Sequence, residues 1–249
     1  MDGGSCLKVA LATLGIVVLL LVGVAVLTDR PGGGAPAVTV RTLPSAGPTT
    51  VQPCALAGSG TPPPAITLQD PGFPPADWSD SLLPATSLPD ASFDVARVPD
   101  GGPDGGGYRA VHHVFAGSGV IEVLHLQRVA AYDAGACGPI ATVDVAFAVA
   151  DLGRGQQLLL FAVRQGSVVY AALARTVDGP SWTPVSVSGL RALDFGVYAG
   201  SGPAHPDFSS GRLEFGYVTA NSCGTGLAPP CGTTETTTAL GAWSLTLHR

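Results

Sequence analysis

Ile140-Ala141-Thr142-Val143-Asp144-Val145-Ala146-Phe147-Ala148-Val149-Ala150 alternates large apolar residues with small or polar ones. On an extended chain Val143, Val145, Phe147 and Val149 share one side, and Asp144, Ala146 and Ala148 share the other. A strand packed on one face has this period of two. Near the C-terminus Trp243, Leu245 and Leu247 repeat it against Ser244, Thr246 and His248. Working outward, six further runs are rich in β-branched and aromatic residues and bounded by Gly, Pro, Asp and Ser: Tyr108–Phe115, Val120–Arg128, Gln157–Gln165, Val168–Arg175, Thr183–Val187 and Leu213–Ala220, with the last strand read as Thr236–Leu247. Gln165-Gly166-Ser167 is a hairpin turn, since Gly accepts the positive φ such turns need. Leu190–Phe195 reads as a single helical turn in a crossover. Short strands at near-regular spacing with no sustained helical period predict an all-β fold, an antiparallel jelly-roll sandwich.

The other decisive stretch is Val9 to Leu27, 19 residues without a charge. As a helix it spans about 28 Å, close to a hydrocarbon core of about 30 Å. It is longer than a secretory h-region and ends in Leu27-Thr28-Asp29-Arg30, with no small-x-small site until Ala35-Pro36-Ala37, so it reads as an uncleaved signal anchor. The expected organisation is a cytoplasmic tail (1–8), a transmembrane anchor (9–27), a Pro/Gly-rich stalk (28–76) and an extracytoplasmic β-sandwich (77–249). Lys8 and Arg30 flank the run and leave the orientation balanced, and the Cys-bearing C-terminal part places the domain outside. A stretch so rich in Pro, Gly, Ala and Thr buries too little apolar surface to offset its ordering entropy. Cys54 within it implies that part of residues 50–70 lies against the domain.

Beyond residue 30 the chain carries 10 basic and 16 acidic side chains. A net −6 does not suit nucleic acid or an anionic bilayer surface. Charged residues are 12% of the chain, about half the usual share, which suits a β-rich domain with small polar surfaces.

Tyr108-Arg109-Ala110-Val111-His112-His113, Val123-Leu124-His125-Leu126, Ala131-Tyr132-Asp133, Gly138 to Asp144, Trp182, Gly189-Leu190, Ala192 to Phe195, Pro206 to Ser209, Leu213 to Tyr217, Thr236-Thr237-Thr238 and Trp243 to Leu247 occur in that order. This ordered set resembles a group of uncharacterised bacterial secreted and cell-surface domains similar to concanavalin A-like or laminin-G-like jelly rolls. The resemblance covers residues 78–249 and implies a jelly-roll sandwich at a bacterial surface, without an established activity. Gly241-Ala242-Trp243 stands where the group has Gly-Ile-Asp-Asn-Trp, so a site using that Asp is not expected here.

Exported cysteines oxidise. Cys223 and Cys231 bracket seven residues between two strands and are expected to form a disulfide; Cys54 and Cys137 then pair by elimination. No Cys-x-x-Cys or Cys/His cluster calls for zinc. His112 and His113, adjacent on a strand, point to opposite faces, so one packs and the other is solvated. Asp100 and Asp104, in a Gly-rich loop, resemble a calcium loop in composition but supply too few oxygens alone, and no cofactor is expected. A sandwich glycosidase would need two carboxylates about 5–9 Å apart, and only Glu122 and Glu214 sit on strands to provide them. Sugar recognition would use aromatic faces: Trp78, Trp182, Tyr170, Tyr198 and Tyr217 are the candidates. The leading expectation is a tethered binding or adhesion module for a glycan or a surface protein. The alternatives are a structural envelope protein without a small-molecule ligand and, last, the hydrolase.

Overall fold

The computed structural model describes residues 65–88, 90–153, 157–224 and 230–249. The anchor at 9–27, most of the stalk, and Cys54 lie outside them. No helix among the described residues is long and apolar enough to cross a membrane.

Two antiparallel sheets form a sandwich. The strands are β1 (Ala65–Asp70), β2 (Trp78–Leu82), β3 (Ser92–Val98), β4 (Tyr108–Gly117), β5 (Gly119–Asp133), β6 (Thr142–Asp151), β7 (Gln157–Gln165), β8 (Val168–Val177), β9 (Thr183–Leu190), β10 (Gly196–Ala199), β11 (Arg212–Cys223) and β12 (Cys231–His248). The first sheet runs β3-β4-β12-β6-β9, with β1 also on β12, and the second runs β10-β8-β7-β11-β5-β2. A one-turn helix, α1 (Ala134–Cys137), follows β5, its first amides capped by the Asp133 carboxylate.

The alternation in β6 delivers Val143, Val145, Phe147 and Val149 to the core between the sheets, where β7 and β11 answer with Leu159, Phe161, Val163, Leu213, Phe215 and Tyr217. Trp243 is the hub, with ring centroids 5.7 Å from Trp78, 6.0 Å from Phe161 and 6.1 Å from both Phe147 and Tyr217. A bulge between Gly241 and Ser244 turns that indole inward, with Ala242 at φ 53°. It also lets the 18-residue β12 pair with β4 over its first half and with β1 over its second. At Gly166 φ is 61°, as the β7–β8 hairpin needs.

All eight expected strands are present, and Ala192–Asp194 forms the expected helical turn, a 3-10 turn. Two expectations change. The folded part begins by Ala65, inside the stretch read as stalk: β1 pairs with β12 along its whole length and Phe73 is fully buried. In addition β1, β2, β3 and β10 escaped detection, being short runs at sheet edges or in Pro-rich surroundings whose pairing comes from long strands elsewhere in the chain. Cys223 and Cys231 form a disulfide with Cα atoms 5.8 Å apart. Cys137 is also disulfide-bonded, and its expected partner Cys54 lies outside the described residues.

Candidate functional site

Polar groups concentrate in two places, one inside the sandwich and one on its outside. The inner one begins at Arg109 on β4. Its guanidinium pairs with the Asp80 carboxylate on β2, donates from Nε to the Tyr217 hydroxyl at 3.0 Å, and lies 4.9 Å from the centre of the Trp78 ring. Asp80 Oδ1 also meets His125 Nδ1 at 2.7 Å, and His125 Nε2 meets the Thr219 hydroxyl at 2.9 Å. Thr219 in turn lies 3.1 Å from His113 Nε2, whose Nδ1 is 2.7 Å from Asn221 Oδ1. Thr236 donates to the same Asn221 oxygen and accepts from Gln157. The alternation of β4, β5 and β11 turns all these residues inward, so one polar seam stitches the two sheets together.

Burial sets the seam's charges. It pushes His113 down to about 4, against the partial support of its bond to Asn221, and it lowers His125 against the pull of Asp80. Burial alone would raise Asp80, but the bonds and charges of His125 and Arg109 hold its carboxyl well below the usual range. Asp80, His125 and Thr219 follow the order of an orienting acid, a base and a nucleophile. His125 and Thr219 are wholly buried, and the Thr219 hydroxyl is shared with a second imidazole, so no substrate carbonyl reaches it. The seam is an internal clamp.

The outer feature lies on the side of the second sheet that faces away from the core. Positions that alternate with the core residues place Leu124 and Leu126 of β5, Leu160 and Ala162 of β7, Val169 of β8 and Val218 of β11 there, joined by Leu83 after β2. Glu122 on β5 is set into this aliphatic layer. Its Oε1 accepts from the Tyr198 hydroxyl at 2.7 Å, and its Oε2 is buried without a partner. Tyr198 sits on the outermost strand β10, four inter-strand steps from β5, or about 19 Å across a flat sheet, and the register through β8, β7 and β11 sets it about 18 Å further along the strands. Two side chains and one hydrogen bond close that gap, so the sheet curls toward this face and the tyrosine ring lies across it. Desolvation raises the Glu122 carboxyl, opposed by the Tyr198 bond, and raises the Tyr198 phenol together with the Glu122 charge.

The five aromatic candidates separate. Trp78, Tyr170 and Tyr217 are core side chains, each at most 2% exposed, and present no ring face to a ligand. The cause is the alternation itself, which turns them inward. Trp182 is half-buried on the first sheet, donating from Nε1 to Gly101 O at 3.0 Å and standing edge-on to Tyr108. Tyr198 alone of the five lies on the outer aliphatic face. Asp100 and Asp104 are exposed, and among the described residues no group of three His, Cys, Asp or Glu side chains gathers to hold a metal. His113 packs and His112 is partly solvated. The hydrolase pair does not assemble. Glu122 lies opposite Ala220 on β11, six positions from Glu214 and so about 20 Å along the strand. Glu214 is held between Arg164 and Arg212.

Sequence reasoning missed Asp80, Arg109 and Thr219, since each looks like an ordinary strand residue until its strand is paired. For Glu122 the signal was a rare Glu on a strand, but the role assigned to it was catalytic.

No protein-family model and no curated protein matches the chain. Among solved structures it is similar to a family 11 carbohydrate-binding module from Clostridium thermocellum in complex with a β-1,3-1,4-mixed-linked tetrasaccharide: TM-score 0.45, 11% identity, 73% of this chain and 94% of that one. A family 11 module of a cellulosomal cellulase of the same organism gives TM-score 0.41, 11% identity, and coverage of 68% and 86%. An exo-β-agarase gives 0.40, 7% identity, and coverage of 71% of this chain and 24% of that one.

Proposed function

We propose that the chain is a membrane-tethered extracytoplasmic binding module that holds a glycan on the outer face of its second sheet and performs no chemistry on it. One observation carries the reading: a carboxylate with an unpartnered oxygen sits in an aliphatic layer on the side of the sheet away from the core. An unpartnered polar atom in apolar surroundings costs about 1–3 kcal/mol. A donor brought by a ligand removes that penalty. The leucine and valine side chains of the layer are themselves buried, so a sugar meets this face at the Glu122–Tyr198 pair, directing hydroxyls at the carboxylate.

The uncharged Val9–Leu27 run supports the tether, the Pro/Gly-rich stretch supports a spacer, and the Cys223–Cys231 disulfide suits export. The test is retention of the full chain, in detergent micelles, by a panel of immobilised polysaccharides and by isolated cell wall, each with and without calcium. Retention by at least one polysaccharide, abolished by heat denaturation, is the expected result. Silence across the panel refutes the glycan reading, and retention by cell-wall protein alone replaces the glycan with a protein partner.

A further inference from the structure

We propose that residues 54–64 dock on the α1 end of the sandwich, held by a Cys54–Cys137 disulfide and by proline carbonyls on the Arg249 guanidinium. The chain before Cys54 is thereby attached to the domain at Cys137. What that attachment is for rests on the membrane-tethered reading, whereas the docking stands without it.

Three observations meet at this end. Cys137, the last residue of α1, is disulfide-bonded. Of the five cysteines, Cys223 and Cys231 are joined to each other, and Cys6 lies before the uncharged Val9–Leu27 run, which leaves Cys54. The second observation is the start of β1. Ala65 pairs with His248, whose carbonyl accepts from Ala141 N at 2.7 Å, and Arg249, next in the chain, donates from Nη1 to Cys137 O at 3.0 Å. Cys54 and Ala65 are thus both placed near Arg249, and the chain between them, about 36 Å long when extended, has slack to spare.

The third observation is that Arg249 is only half satisfied. Its Nε and Nη2 are buried without a partner, and these two nitrogens form the side of a guanidinium that takes a pair of oxygens. The acceptor is not a carboxylate of the preceding chain, because residues 31–64 contain no Asp or Glu. Carbonyls remain. Pro62-Pro63-Pro64 runs directly into Ala65 and offers carbonyls with no N–H to compete for them. A run of this kind is extended, at about 3.1 Å per residue, and makes no internal hydrogen bonds, so its oxygens are available. Tyr132 fixes the end of α1, its hydroxyl donating to Cys137 O at 3.1 Å and to Gly138 O at 2.8 Å.

The attachment point matters for a tethered module. The one strand beside β1 is β12, and a pull on Ala65 would peel their pairs apart in turn. A bridge at Cys137 passes the pull to α1 and β5 and leaves β1 unloaded. Arg212 pairs with Asp133 beside α1, and Cys223 lies at the other end of β11, about 36 Å away, so the attachment is remote from the Cys223–Cys231 loop.

The experiment uses the full chain in detergent micelles as wild type, Cys54→Ser and Arg249→Met, with melting curves to show that each is folded. Non-reducing peptide maps read the bridge, and mass spectrometry follows elastase cleavage after Ala55 and Ala57 against cleavage after Ala37. Wild type is expected to show Cys54 joined to Cys137 and to be cut at Ala55 and Ala57 about ten-fold more slowly than at Ala37. Cys54→Ser is expected to raise cleavage at those two sites about ten-fold, and Arg249→Met about three-fold with the bridge intact. Cys54 found free or joined to another cysteine overturns the inference. So does wild type cut equally at Ala55 and Ala37, or Arg249→Met cut no faster than wild type. If Cys54→Ser fails to fold, the wild-type map and Arg249→Met decide. Detergent phase partitioning tests the tether separately: wild type recovered in the aqueous phase removes the tether and the use of the attachment, while the bridge and the cleavage rates still decide the docking.

Discussion

Acid should loosen this protein through its buried histidines, and the share of His113 follows from the structure. His113 lies between the sheets with both ring nitrogens engaged, Nδ1 toward Asn221 and Nε2 toward Thr219, and burial pushes it from the ordinary 6.5 down to about 4. The groups facing it are His125 on β5, the neighbouring His112, and, through His125, the Asp80–Arg109 pair. A base whose folded value is depressed is protonated first in the unfolded chain, so its contribution is complete above about 6.5 and lost as pH falls toward 4. At 1.36 kcal/mol per unit, the loss between pH 7 and pH 4.5 is about 2.4 kcal/mol, or about 5–10 °C in a domain of this size. His125, also depressed, adds in the same direction. Asp80, held low, stabilises the folded state above its ordinary value near 3.8 and loses that contribution only below it, outside this window. Thermal melts of wild type and His113→Gln at half-unit steps from pH 7 to 4.5 isolate the term. The variant melts lower at pH 7, because Asn221 and Thr219 lose a fitted partner, and the gap narrows by about 2.4 kcal/mol by pH 4.5. Parallel melting profiles, or a His113 imidazole resonance titrating near 6.5 in the folded protein, would refute the reasoning.

Arg109→Met should cost about 3–5 kcal/mol by urea titration, since it leaves Asp80 without its cation in a buried site, and a loss under 1 kcal/mol would show the pair to be dispensable. Cys223→Ser should lower Tm by several degrees, because closing a loop of about nine residues is worth about 2.5 kcal/mol at most; free thiols at both positions in the exported wild type would remove the basis for this. Gly216→Ala should abolish folding, as a Cβ there would stand 1.9 Å from the His125 carbonyl oxygen and 2.9 Å from the Leu126 Cα, both backbone. Wild-type near-ultraviolet circular dichroism from that variant would contradict the close β5–β11 approach.

Much of the fold was legible because β6, β7, β8 and the end of β12 carry strong local signals: a period of two, β-branched residues and a Gly hairpin. The edge strands were not, because a run such as Ala65-Ile66-Thr67-Leu68-Gln69-Asp70 becomes a strand only when β12 offers it partners 173 to 183 residues later. The candidate site was legible in part. Tyr198 and Glu122 were both singled out, one as a sugar platform and one as an acid, but 76 residues separate them and nothing local joins them. Trp78, Tyr170 and Tyr217 drew attention as aromatics on strands, yet whether a strand's odd or even face meets the core depends on where its sheet is stacked.

Alternation, turn chemistry and cysteine spacing are properties of near neighbours in the chain, so the sequence by itself determined the all-β class, most of the strands, the 223–231 bridge and the uncharged 19-residue run at the start. Which face of each strand turned inward, the seam from Arg109 through Asp80, His125 and Thr219 to His113, and the meeting of Tyr198 with Glu122 were decided only by tertiary structure. Those contacts join residues from about 30 to over 100 positions apart. Sheet order, bulges and curvature, and no local preference, bring such distant groups within a hydrogen bond of each other.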